Sequence, residues 1–238
     1  MSHFFETQPK LQTPISTSSF EDMSPSSSSF SLTATTNTVI VLVLVEFGFL
    51  LHNYMNRGNT VYPLAKTLQR INNNLYSLFS LALALSLVLV PSNSRQLARI
   101  YHLSKFYESI DIYLFLLSGY TPNLHFAIHH ATTPIITYYS VLEREREWWI
   151  WSAVANLIHH TFMYAAFGGW KSFRGLLVYT GSTHLAIGLC SSIMYVYYTG
   201  AVSGLIPICG YCAYMVLYVK ELRDAGAEAL RQGTVLKE

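Results

Sequence analysis

Charge is what this chain of 238 residues has least of: 15 Lys and Arg with 13 Asp and Glu make up 12% of it, against roughly 25% in an average soluble domain. So few charged heads cannot coat a water-facing surface of this size, whereas helices bathed in lipid have no such need. A net charge of +2 is too small to hold a polyanion on a basic face, which excludes nucleic acid as a partner. Cysteine is scarce as well. Cys190, Cys209 and Cys212 all lie in apolar stretches, which excludes a secreted disulfide framework. Cys209 and Cys212 form a CxxC without a βαβ context and read as small packing residues.

What the chain has instead is 51% hydrophobic residues, and they are unevenly spread. Residues 1–37 hold sixteen Ser or Thr and three Pro with no apolar periodicity, the composition of a disordered tail. That tail lacks the basic start and apolar core of a secretory signal. Seven apolar stretches follow, at 38–52, 75–91, 106–119, 122–142, 148–168, 175–199 and 201–219, to be compared with the ~20 residues a helix needs to span a bilayer. The expectation is an all-α, multi-pass membrane protein with seven transmembrane helices in one domain, 38–220, and a short cytosolic tail, 221–238. Joints as short as Ser118 to Pro122 and the charged run Glu143 to Glu147 make sequential helices antiparallel neighbours. With the N-terminus outside, nine Lys or Arg fall on the inner side and six on the outer, which favours a cytosolic C-terminus.

Against this background the informative residues are the ionisable ones within the stretches, because each costs several kcal/mol in lipid unless it meets a partner or a cavity. Six of the nine histidines fall on three consecutive stretches: His125, His129 and His130, then His159 and His160, then His184. At about 100° per residue, His125 and His129 lie about 40° apart on one helix face, and His130 about 100° further round. Asn156, His160 and Tyr164 recur every four residues and form one polar stripe. These two faces are placed to meet. Near the head of the third stretch Lys105, Glu108 and Asp111 step every three residues, so that an internal Lys105–Glu108 pair and an acid-base group beside the histidines are both open readings. Glu46 in the first stretch is isolated and has no assigned role.

Taken in order, Lys105-Phe-Tyr-Glu108-Ser-Ile-Asp111, then His129-His130 in LHFAIHHATTP, then Asn156 to Tyr164 in NLIHHTFMY resemble the successive boxes KxxExxD, HxxHH and NxxxHxxMY of the ELO family of very-long-chain fatty acid elongases. Asn74 is similar to that family's Asn just before its second span. Where the family has its first box histidine this chain has Phe126, and His125 stands one residue earlier, about 100° round and ~1.5 Å along the helix. Ser118-Gly119-Tyr120 replace basic residues after the third helix. Two family glutamines on the sixth helix are replaced by Thr183 and Ala186 or by His184 and Ile187, according to register, and no dilysine signal closes the chain.

The resemblance implies a helical bundle or barrel around an apolar cavity in the endoplasmic reticulum membrane, and a condensing activity: a long-chain acyl-CoA and malonyl-CoA give 3-oxoacyl-CoA, CO2 and CoA. It implies a reactive His129 that holds the acyl group and a second reactive histidine at His160. His130 and Asp111 join them as catalytic, and Lys105, Glu108, His125, Asn156, Met163, Tyr164 and His184 contact substrate or position these groups. No bound metal or cofactor is implied, malonyl-CoA being a co-substrate. Homodimers and the other enzymes of the elongation cycle are the implied partners besides the bilayer. Two other readings stay open. A di-iron desaturase or hydroxylase would use His125, His129 and His130 as ligands, and a degenerate elongase homologue would bind lipid or act as a scaffold without catalysis.

Overall fold

A computed structural model describes residues 63–90, 94–120, 123–142 and 148–235, together with scattered positions between 40 and 52. Six long helices follow one another: α1 Pro63–Leu89, α2 Ser94–Leu117, α3 Leu124–Thr137, α4 Trp148–Phe167, α5 Leu177–Thr199 and α6 Leu205–Val235. A π-turn, Tyr138–Leu142, prolongs α3, and 3-10 turns at Lys171–Leu176 and Val202–Gly204 lead into α5 and α6. The described positions of the first apolar stretch are helical. Of these, Leu44 accepts a hydrogen bond from the Tyr113 hydroxyl of α2 at 2.6 Å, and Phe47 meets the Tyr113 ring edge-on. The tail at 1–37, Glu46 and the run Glu143 to Glu147 lie outside the described residues.

Hydropathy fixes the helices but misplaces several ends. α2 begins at Ser94, not near residue 106, so Lys105, Glu108 and Asp111 sit in its middle and not at its head. A charge ends an apolar run in hydropathy alone, yet all three are buried within the helix. α6 runs on to Val235 past the last apolar residues. Its extension ELRDAGAEALRQ is rich in Glu, Leu, Arg and Ala, the residues with least cost in a helix.

Among the described residues three segments are long and apolar enough to cross a membrane, Pro63–Leu89, Lys171–Thr199 and Val202–Ala225, and the fold is all-α and multi-pass. α2, α3 and α4 carry the polar residues singled out above, and α3 has 14 residues. The burial pattern of α1 is that of a lipid-facing helix. Leu68, Ile71, Leu75, Leu78 and Leu85 point outward while Asn72, Asn73, Ser77 and Ser80 point inward, the reverse of a helix in water. Cys190, Cys209 and Cys212 are free and exposed, so they line the outer surface and are not packing residues.

α1 packs on α2 and most extensively on α4; α4 packs on α5, α5 on α6, α6 on α3, and α3 on α2. One apolar cluster, including Leu83, Leu87, Tyr101, Val154 and Leu157, joins α1, α2 and α4. A second, Ile136, Leu185 and Tyr214, joins α3, α5 and α6. Lipid offers helices little hydrophobic incentive to associate, so close approach through small residues matters. On α5, Gly181 and Gly188 lie two turns apart, and on α6 so do Tyr218 and Tyr211. A Cβ on Gly181 would come within 2.5 Å of the Tyr218 hydroxyl, and one on Gly188 within 2.4 Å of the Tyr211 ring. The two tyrosines thus lie in the two glycine notches of an antiparallel neighbour. Gly188→Ala should therefore displace a ring, not a flexible tip, and cost on the order of 1–3 kcal/mol, the range for overpacking. Denaturant titration in detergent measures it, and Ala186→Ser on the exposed face of the same helix is the control.

Candidate functional site

At the centre lies a charge pair with no access to water. Lys105 and Glu108 follow one another by one turn of α2, both side chains are 0% exposed, and Nζ stands 2.5 Å from Oε1. Burying two charges costs several kcal/mol each, so the pair persists only if the remaining donors and acceptors are met. Most are. Lys105 Nζ also donates to Asn156 Oδ1 at 2.7 Å and lies 4.8 Å from the Tyr101 ring centroid. Glu108 Oε1 accepts further from the Tyr76 hydroxyl at 2.7 Å, while Oε2 has no protein partner.

This arrangement fixes the tautomer of His160. Lys105 can only donate, so the Asn156 amide must turn its oxygen to Lys105, where Tyr101 also donates at 3.0 Å. The amide nitrogen then faces His160 Nε2 at 3.3 Å and donates to it. His160 consequently carries its proton on Nδ1, which lies 3.0 Å from Glu108 Oε1 but off the line of a hydrogen bond. His130 is fixed in the same tautomer by another partner, the Glu108 backbone carbonyl, which accepts from Nδ1 at 2.9 Å. His129 is different. Its Nδ1 is buried without a partner, and as a residue it keeps partial exposure where His130 and His160 are buried. The backbone carbonyl of His129 is held by the hydroxyls of Thr133 and Tyr214, which anchors this part of α3.

Asp111, one turn along α2 from Glu108, makes a second buried acid. Asn72 of α1 donates to its Oδ1 at 2.7 Å, and the Tyr164 hydroxyl of α4 donates to Oδ2. Asn72 in turn accepts from Tyr107 at 2.5 Å. The described partners of Asp111 are thus neutral donors, unlike the ammonium beside Glu108. Tyr76 ties the two acids together, since its ring meets Tyr164 edge-on and stacks on Tyr107.

The sequence-derived residues therefore separate into groups. Lys105, Glu108, His130, Asn156 and His160 form one hydrogen-bonded network, which His129 borders, and Asp111 with Tyr164 forms a second that packs on it through the Tyr76 ring. His184 is buried beside the first network, stacked on His159 at 4.7 Å between ring centroids, while Thr183 and Ala186 are exposed. His125 keeps the face of His129 but binds Glu221 of α6 through Nδ1 at 2.9 Å. Met163 is half-buried and makes none of these polar contacts. Asn74 makes no described contact with these networks. It donates to the carbonyls of Arg70 and Gly168, and Asn72 reaches Asp111 in its place. Tyr76, Tyr101, Tyr107 and Glu221 are the additions. Tyrosine is common throughout the chain, and no local pattern set these three apart; Glu221 stood in what reads as a tail.

Glu108, His129 and His160 each offer one ligand atom within 4.8 Å of the others, a spacing suited to a metal ion. Lys105 competes for that use. Its ammonium already holds Glu108 Oε1 and would face any metal at that carboxylate, so the cation built into this site is a side chain. Chemically, the site can present an imidazole with an unpartnered nitrogen beside a protonated imidazole nitrogen, with the buried ion pair at their back. The chain matches no protein-family model, no curated protein and no solved structure.

Proposed function

We propose that this protein is an elongase-type condensing enzyme that joins a long-chain acyl-CoA to malonyl-CoA within a membrane, in the endoplasmic reticulum with its C-terminus in the cytosol. The observation that carries the reading is the meeting of His129 and His160, from different helices, at Glu108 of a third. Decarboxylative condensation needs a nucleophile to hold the acyl group and a donor for the enolate left when CO2 departs. His129 suits the first role because, of His129, His130 and His160, it is the residue that keeps partial exposure and whose Nδ1 has no partner. His160 suits the second, because Asn156 keeps a proton on the nitrogen that faces the site.

In this reading the imidazole of His129 attacks the thioester, the C–S bond breaks, and the proton on its other nitrogen goes to the departing thiolate. Malonyl-CoA then loses CO2, the enolate carbon bonds to the acyl carbonyl carbon, and His129 is released. Lys105 and Glu108 position His160, Asn156 and the Tyr76 hydroxyl, and Asp111 with Asn72 and Tyr164 holds α1, α2 and α4 around them. A ring of helices, with the helix formed by the first apolar stretch as the seventh span, would give the acyl chain an apolar lining. Supporting this, the six packed pairs taken in turn lead from α1 through α2, α3, α6, α5 and α4 back to α1.

Detergent-purified protein incubated with acyl-CoAs and labelled malonyl-CoA is expected to yield 3-oxoacyl-CoA and a transient acyl adduct on His129, both read by mass spectrometry. Neither product nor adduct, with an active elongase run alongside, would exclude the condensation and favour a lipid-binding homologue. His184→Ala is expected to lower turnover by less than tenfold and to leave the adduct in place, because His184 sits behind His159 and not at Glu108.

A further inference from the structure

The condensation proposed above is not proton-neutral, and one feature at the rim of the bundle matches that need. Transfer of the acyl group from CoA to His129 balances internally, since the imidazole proton leaves with the thiolate. The second half-reaction does not. The bond to CO2 breaks with its electron pair passing to the malonyl α-carbon, the new C–C bond forms, and the acyl–nitrogen bond breaks with its pair left on the His129 ring. One proton from outside must reach that ring before the next cycle, through a bundle whose central carboxylate is 0% exposed.

Glu221 and His125 form a chain of contacts from the exposed surface of α6 to His129. Glu221, on α6 two residues past the last apolar stretch, has a side chain 43% exposed. Its Oε1 accepts from Asn123 at 2.8 Å, and its Oε2 lies 2.9 Å from His125 Nδ1. Asn123 is held in turn as the N-cap of α3, where its oxygen accepts from the Phe126 amide. With Nδ1 taken, the opposite nitrogen of the His125 ring points away from Glu221, and it is buried without a partner. The His129 ring stands edge-on to His125 at 5.8 Å between centroids, a gap that one water molecule or a ring rotation closes. The other titratable groups facing His125 are Tyr218 and Tyr214 of α6, at 5.6 and 6.5 Å between rings, with His159 of α4 in electrostatic range.

We infer that Glu221 and His125 form the proton entry to His129, an inference that rests on the condensation reading. Glu221 takes a proton from solvent and passes it to His125 Nδ1, and the proton on His125 Nε2 moves inward to the His129 ring. Reversal of the His125 ring, whose side chain is 18% exposed, resets the route. Asn123 orients the carboxylate and takes no part in transfer.

The test separates the half-reactions. Acyl-CoA alone is added to wild type and to Glu221→Gln, adduct formation is timed, and malonyl-CoA is then added and adduct loss timed. Glu221→Gln keeps the shape of the carboxylate and the acceptor for Asn123, donates to His125 Nδ1 through its amide nitrogen, and cannot relay a proton. The expected result is acylation at the wild-type rate and adduct discharge slowed by roughly a hundredfold, the scale of general acid–base assistance, with Glu221→Asp restoring most of the discharge. Equal discharge rates in wild type and Glu221→Gln would overturn the inference. So would loss of acylation in Glu221→Gln, which would make Glu221 a structural residue. An absence of adduct and product in wild type would instead remove the condensation reading, and this inference with it.

Discussion

Replacing His129 by Ala is expected to abolish condensation while the protein stays folded. The ring makes no described side-chain hydrogen bond, its Nδ1 being buried and unpartnered, and what anchors α3 at this position is its backbone carbonyl. Truncation therefore removes chemistry without removing a tie between helices. If the ring carries the acyl group, what remains is binding and polar stabilisation alone, a loss on the order of a thousandfold or more in turnover. The measurement is 3-oxoacyl-CoA formation by wild type and variant, with the helical circular dichroism and the detergent melting curve compared in parallel. Equal activity would sink the assignment. A biological effect that survives His129→Ala would point to the scaffold reading, since lipid binding does not need a nucleophile.

Lys105→Met is expected to have the largest effect on stability. It leaves Glu108 as a buried carboxylate with the Tyr76 hydroxyl and the off-line His160 as its side-chain neighbours, and it takes from the Asn156 oxygen one of its two donors, leaving Tyr101. Removing one member of a buried ion pair costs about 3–5 kcal/mol, most of it from the charge left behind. Glu108→Gln should cost a similar amount by stranding the ammonium. The double variant should cost clearly less than the two singles together, because neither charge is then left alone. Denaturant titrations of the four proteins in detergent measure the coupling directly. Additive losses would mean that the two side chains act independently.

The metal reading makes an opposite demand on the same residue. If Glu108, His129 and His160 bound an ion, Lys105→Met would free the carboxylate and raise the affinity for it. Metal content of wild type and Lys105→Met, measured after dialysis against zinc or iron and then against buffer, is expected to stay below one ion per ten chains in both.

The sequence by itself determined that the protein is helical and lies in a membrane, because low charge and long apolar runs have few other physical outcomes. It also singled out Lys105, Glu108, Asp111, His129, His130, Asn156, His160 and Tyr164, because an ionisable or amide side chain in an apolar run must find a partner, and helical spacing shows which of them share a face. It could not show which partner each one finds. Lys105, Glu108 and Asp111 looked like the start of a helix because hydropathy cannot tell a charge that ends a span from one buried within it. Asn74 and Asn72 differ by two residues, about 200° around α1, and only the packing of α1 against α2 turned Asn72 to Asp111. The tautomer of His160 depends on an amide fixed by a lysine fifty-one residues away, and the link from His125 to Glu221 spans ninety-six. Pairings over such separations are set by which helices lie side by side, and contacts such as those of Tyr211 and Tyr218 with Gly188 and Gly181, which set α5 against α6, are encoded by no periodicity within one helix.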